Sequence, residues 1–148
     1  MISISGLSFG PFKAAHLSQL AVQDAQRWTL SYMSPALMMT IEGQWSNTVF
    51  RDGRPICCGG VIEQRPDYGI LWSFVGSDVT PHDFFHLHRL ARLFIRSLPY
   101  RRLEMHVDCE FVNGHRWARA LGFRCEAPRM RAFLLNGLDA ALYARING

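Results

Sequence analysis

Three side chains in the stretch RRLEMHVDC (Glu104, His106 and Asp108) recur at every second position. On an extended strand that spacing puts all three on one face, with Leu103, Met105, Val107 and Cys109 on the other. Two carboxylates around an imidazole can take a proton from a nucleophile, and histidine titrates where such a base is useful. Asp108, near the strand's end, would need burial or a bridging water to act. The plain alternative is a polar face met by arginines of neighbouring helices. Cys109 with His106 or His115 could suggest thiol catalysis, but the alternation turns it into the apolar set, as a buried cysteine. Glu63 is a lesser candidate for the base, and Tyr143 for an acid.

A second constellation lies upstream. His82, His86, Arg89, Arg92 and Arg96 follow one another at three- and four-residue steps, a cationic stripe if the segment is helical. It could serve as an edge that contacts phosphate, or simply as the solvated face opposite Phe84, Leu87, Leu90, Ala91 and Phe94. His82 and His86 have i, i+4 metal spacing, but no HExxH accompanies them, and no metal is expected.

These side chains need elements to hold them. Thr80 can cap a helix, Pro81 suits its first position and Asp83 complements the dipole, so a helix runs from there to about Leu98 and stops at Pro99. Before it, SNTVFRDGRPICCGGVIEQ reads as two strands around Asp52-Gly53, and YGILWSFVG as a third, nearly all apolar. After RRLEMHVDC, the stretch FVNGHRWARALGF forms a helix ended by Gly122. RMRAFLLNGLDAALYARI then gives two strands around Asn136-Gly137. At the start, residues 1–9 suggest one short strand. Ala14 to Tyr32 has helical spacing, and Ala36 to Gln44 suggests a further helix. The order predicts an α/β (α+β) domain. Its central sheet is mixed, mostly antiparallel and twisted, with about six to seven strands and about four flanking helices.

Composition bounds the rest. The chain has 148 residues, 49% hydrophobic and 19% charged, which fits one globular domain spanning 1–148 and argues against disorder. Net charge is +4, and Lys13 is the single lysine among 16 basic residues, so anionic partners are favoured. Nucleic acid rests on that charge alone, because no helix-turn-helix, zinc knuckle or RNP pattern accompanies it. Cys57, Cys58, Cys109 and Cys125 form no CxxC, and reduced thiols in a cytoplasmic setting are expected. Neither a signal peptide nor a run of transmembrane length is present, so no membrane partner is expected.

The order of elements is similar to that of the GNAT superfamily of N-acetyltransferases, over nearly the whole chain. DGRPICCGGVI looks like the family's second-to-third strand hairpin, and RRLEMHVDCEF with RWARALGF looks like its fifth strand and fourth helix. Trp72, Arg102 to Val107 and RWARALGF most resemble the GNAT-like proteins of tailed bacteriophages, some of them internal virion proteins. The resemblance implies acetyl-CoA as co-substrate, a primary amine as acceptor, and Glu104, His106 or Asp108 as base. It implies that Phe74 and Val75 donate to the pantetheine arm, and that Gly76, Ser77, His82, His86 and Arg89 lie at the pyrophosphate. Asn113 stands near the position of the family's helix-four asparagine, which itself falls on Phe111. The family's second loop glycine is missing, and Ala118 occupies the place of its tyrosine acid. A non-catalytic member that acts by binding a host or virion protein is therefore the alternative.

Overall fold

The computed structural model describes residues 2–22, 26, 41–43 and 45–147. Among them, strands β1 (Ile2–Ile4), β2 (Leu7–Pro11), β3 (Ser46–Arg51), β4 (Arg54–Arg65) and β5 (Tyr68–Val75) form the first half of a sheet. Strands β6 (Arg102–Asp108), β7 (Arg124–Met130) and β8 (Ala140–Ile146) complete it. The order is β1-β2-β3-β4-β5-β6-β8-β7, eight strands rather than six or seven. Every neighbouring pair is antiparallel except β5 with β6.

Parallel neighbours need a crossover, and helix α2 (Pro81–Ser97) supplies it. The ladder between β5 and β6 is short: Tyr68, Gly69 and Ile70 pair with Arg102, Leu103 and Glu104. Past Ile70 and Glu104 the two strands part, each continuing beside its other neighbour. Helix α3 (Val112–Ala120) follows β6 and lies beside α2, with the rings of Phe84 and Trp117 5.3 Å apart. The opposite face is met by the short helix α1 (Ala15–Gln19). Strand alternation divides the core accordingly. Phe74 and Cys58 pack with Leu17 of α1, while Val75 and Cys57 pack with Leu87 of α2.

Three expectations are corrected. Residues 1–9 hold not one strand but parts of two, because Ser5 and Gly6 turn the chain with positive φ. The helix expected over 14–32 ends as α1 at Gln19. Leu20 is extended, and Leu20 and Val22 enter the cluster around Phe74. Gln26, within the same span, is helical, while 23–25, 27–32 and most of the segment expected over 36–44 lie outside the described residues. Finally, the strand before β8 starts at Arg124, and 131–139 is a loop closed by hydrogen bonds between Leu134 and both Gly137 and Leu138. The Asp52-Gly53 hairpin, the Thr80 cap and the glycine-ended α3 stand where the sequence puts them.

Candidate active site

Strand β6 turns Leu103, Met105 and Val107 toward Ile95 of α2 and Ala118 of α3. Glu104, His106 and Asp108 therefore project from the other face, the one that carries α1. Glu104 is buried at 8% exposure, so its partners decide its state. The Tyr68 hydroxyl donates to Glu104 Oε1 at 2.7 Å, and Arg102 Nε donates to Oε2 at 2.7 Å. His106 Nε2 lies 3.4 Å from Oε1. Burial alone would push this carboxyl up, but Tyr68, Arg102 and His106 together outweigh it and hold it below the usual carboxylate range. The same Arg102 clasps Glu126 of β7 with both terminal nitrogens, at 2.6 and 3.3 Å. Phe133, from the loop 131–139, stands edge-on to the His106 ring at 4.8 Å.

The other predicted residues fall in distinct places. Asp108 Oδ1 accepts the Glu110 amide at 2.9 Å, which closes the turn after β6. Cys109 is not on the strand but in that turn, half-buried, with its thiol directed to the Pro128 carbonyl. Glu63 accepts from the Tyr100 hydroxyl at 2.9 Å, and burial, helped by this bond, pushes that phenol up to about 12. Tyr143 sits on the face of α3, opposite Met105, and is 2.7 Å from His115 Nδ1. His115 Nε2 faces the Cys109 carbonyl at 2.9 Å. A carbonyl can only accept, so in the neutral imidazole Nε2 carries the proton and Nδ1 accepts from Tyr143. Ala118 is fully buried, in one cluster with Leu103 and Val107 of β6.

Where β5 leaves β6, its backbone edge carries the Ser73 carbonyl and the Val75 amide, two residues apart and on one side of the strand. The Gln26 carboxamide meets both: Nε2 donates to Ser73 O at 2.7 Å, and Oε1 accepts from Val75 N at 3.1 Å. Phe74, one residue out of phase, directs its amide at β4 instead. The next amides are also engaged, Gly76 to Ile56 O at 2.8 Å and Ser77 to Ala21 O at 2.6 Å. At the start of α2, Thr80 Oγ1 accepts from Asp83 N at 3.1 Å. Asp78 and Asp83, which would repel a phosphate, are paired with Arg54 and Arg51. The His82 and His86 rings lie 4.8 Å apart, and His86 Nδ1 is buried without a hydrogen-bond partner among the described residues. Arg89 reaches over the Phe85 ring, and Asn113 is exposed in the first turn of α3. No group of three or more His, Cys, Asp or Glu among the described residues could hold a metal ion. No helix among them is long and apolar enough to cross a membrane.

The sequence reading missed Tyr68, Arg102, Phe133 and Gln26. Tyr68 and Arg102 face each other across the β5–β6 ladder, and nothing in the sequence sets its register. Gln26 acts across 47 and 49 residues of chain, with no local pattern to mark it.

No protein-family model and no curated protein matches this sequence. Solved structures do. A ribosomal-protein-S5-alanine acetyltransferase from Vibrio fischeri aligns with TM-score 0.72 at 15% identity, over 99% of this chain and 96% of that one. RimL, a ribosomal-protein alpha-N-acetyltransferase solved with coenzyme A, aligns with TM-score 0.69 at 17% identity, over 97% and 95%. A GNAT-family acetyltransferase from Streptococcus pneumoniae aligns with TM-score 0.64 at 16% identity, over 96% and 99%. Each alignment spans nearly the whole of both chains, and this chain has the GNAT acetyltransferase fold.

Proposed function

We propose that the chain is an acetyl-CoA-dependent N-acetyltransferase that acylates a primary amine by direct transfer. The observation that carries this reading is the parting of β5 and β6, which takes the strand partner from the Ser73–Val75 edge just past the buried Glu104 and the half-buried His106 of β6. Gln26 answers whether that edge suits a pantetheine arm: a carboxamide already sits on it with two strand-like hydrogen bonds, so an amide of the cofactor fits the same donor and acceptor. Ser73 and Val75 would hold that arm. Gly76, Ser77, His82, His86, Arg89 and Asn113 would lie toward its phosphates.

Acetyl-CoA would supply an acetyl thioester whose C–S bond breaks as the N–C bond to the amine forms, the sulfur leaving as thiol. The chain's part is the proton. Glu104, kept ionised by Tyr68 and Arg102, faces His106 Nε2 and favours a proton there, which leaves Nδ1 to accept one from the amine. Glu104 is thus a positioning residue and His106 the base, while Asp108 keeps to its turn. Two of the similar structures named above are ribosomal-protein acetyltransferases, so a peptide amino terminus is the first acceptor to test.

Saturating acetyl-CoA should raise the melting temperature, because a ligand at a hundred times its Kd stabilises the fold by about 2.7 kcal/mol. Calorimetry should show saturable heat. An unchanged melting temperature with no heat would sink the enzyme reading. A second reading, a GNAT-fold phage protein that acts by binding a host or virion partner, is favoured by the buried Ala118 and the engaged amides of Val75, Gly76 and Ser77. Recovery of the chain in purified phage particles, without cofactor binding, would put that reading first.

A further inference from the structure

We propose that Gln26 is a built-in competitor of the cofactor: its carboxamide occupies the β5 edge and must be displaced before acetyl-CoA can pair with Ser73 and Val75. The inference rests on the acetyltransferase reading above and concerns what sets the affinity of that site. A free strand edge offers N–H and C=O groups in alternation, and leaving them unpaired away from water is costly. Over Tyr68 to Ile70, the strand β6 meets them. Past Ile70, β6 has diverged, and the partner of Ser73 and Val75 becomes a single side chain.

Glutamine suits this role because its terminal amide is the side-chain equivalent of a peptide bond, with donor and acceptor in one plane. Here both are used, at 2.7 and 3.1 Å, on two groups of one strand. The chain before it is seated on the same strand end. Val22 forms an antiparallel bridge with Gly76, and Ala21 O accepts from Ser77. The occupant is therefore held at the strand end by backbone pairing, but its own hold on Ser73 and Val75 is two side-chain bonds.

That distinction sets the consequence. An incoming amide exchanges one pair of hydrogen bonds for an equivalent pair, so the edge adds little to affinity while Gln26 competes. Removing the carboxamide removes the competitor. Gln26→Ala should bind acetyl-CoA on the order of tenfold more tightly, the equivalent of one to two net hydrogen bonds. Gln26→Glu keeps an acceptor for Val75 but loses the donor to Ser73, and should fall between.

Two measurements on the full chain test this. Without any ligand, amide exchange at Val75 should be faster in Gln26→Ala than in the parent, with exchange at Gly76 unchanged because that amide bonds Ile56. Calorimetric titration with acetyl-CoA should then show the tighter Kd. Unaltered exchange at Val75, or equal Kd values for parent and variant, overturns the competitor while leaving the acetyltransferase reading standing. No binding by either protein, with exchange at Val75 accelerated, overturns that reading and the inference with it. Gln26→Asn, too short to span both groups but still polar, serves as the second variant if Gln26→Ala folds poorly, and should likewise tighten binding.

Discussion

Glu104 meets a phenol, a guanidinium and an imidazole while nearly closed off from water, and its value to the fold depends on its charge. Its folded pKa lies below the ordinary value of 4.5, so the stabilisation is complete above that value and is lost as pH falls through the lower folded one. Glu104→Gln should therefore flatten the acid limb of the melting temperature against pH below about 4.5, while lowering the plateau at neutral pH. Thermal melts from pH 3 to pH 7 would decide it, and parallel acid limbs for parent and variant would count against the assignment. The polar face of β6 was legible in the sequence because a period of two is local. Arg102 and His106 lie on that same period, but Tyr68 was not legible, because it meets Glu104 only through the register of β5 with β6. Asp108 shows the limit of pattern alone: it shares the face but serves the following turn.

At the scale of elements, α3 approaches β6 more closely than its composition suggests. A Cβ on Gly114 would come within 2.7 Å of Val107 Cγ1 and of Phe111 Cδ2. Alanine is the better helix former by about 1 kcal/mol, but overpacking against a stiff β-branched neighbour costs about 1–3 kcal/mol. Gly114→Ala should therefore lower the melting temperature by a few degrees, and an equal or higher value in a calorimetric scan would show that α3 can shift without cost. Elements with chemical punctuation were readable. Gly122, at φ +89°, ends α3 with Phe123 N bonded to Ala118 O and Gly122 N to Arg119 O, the pairing of a Schellman motif. Strand β7 was not readable, because RCEAPRM is charged, contains Pro128 and is mostly exposed, as an edge strand can be. The Asn136-Gly137 pair looked like a two-residue hairpin turn but belongs to a longer loop whose tip presents Phe133, Leu135 and Leu138.

Over the whole molecule, the run of strands from β3 to β5 was legible, and the place where the sheet opens was not. That opening depends on how far β5 and β6 run together, which is set by packing of two layers rather than by any residue pair. Charge is also distributed at this scale: Arg92, Arg96, Arg124 and Arg145 line a groove of about 620 Å³ with Glu126, at the end of α2 away from Thr80. Among the described residues, α1 covers one face of the sheet and the capped α2 the other. Cys57 and Cys58 are consecutive, yet the first is buried under α2 and the second under α1, and burial pushes both thiols up, Cys58 to about 11. They amount to a pair of chemical clocks, one per layer, set one peptide bond apart. With Cys109 and Cys125 replaced by serine, thiol labelling under native conditions should reach Cys58 before Cys57, since the Thr48 hydroxyl donates to Cys58 Sγ at 3.6 Å and eases its ionisation. Mass spectrometry of the labelled peptide would read the order, and simultaneous labelling would mean that the sheet lets go of both faces as one cooperative unit.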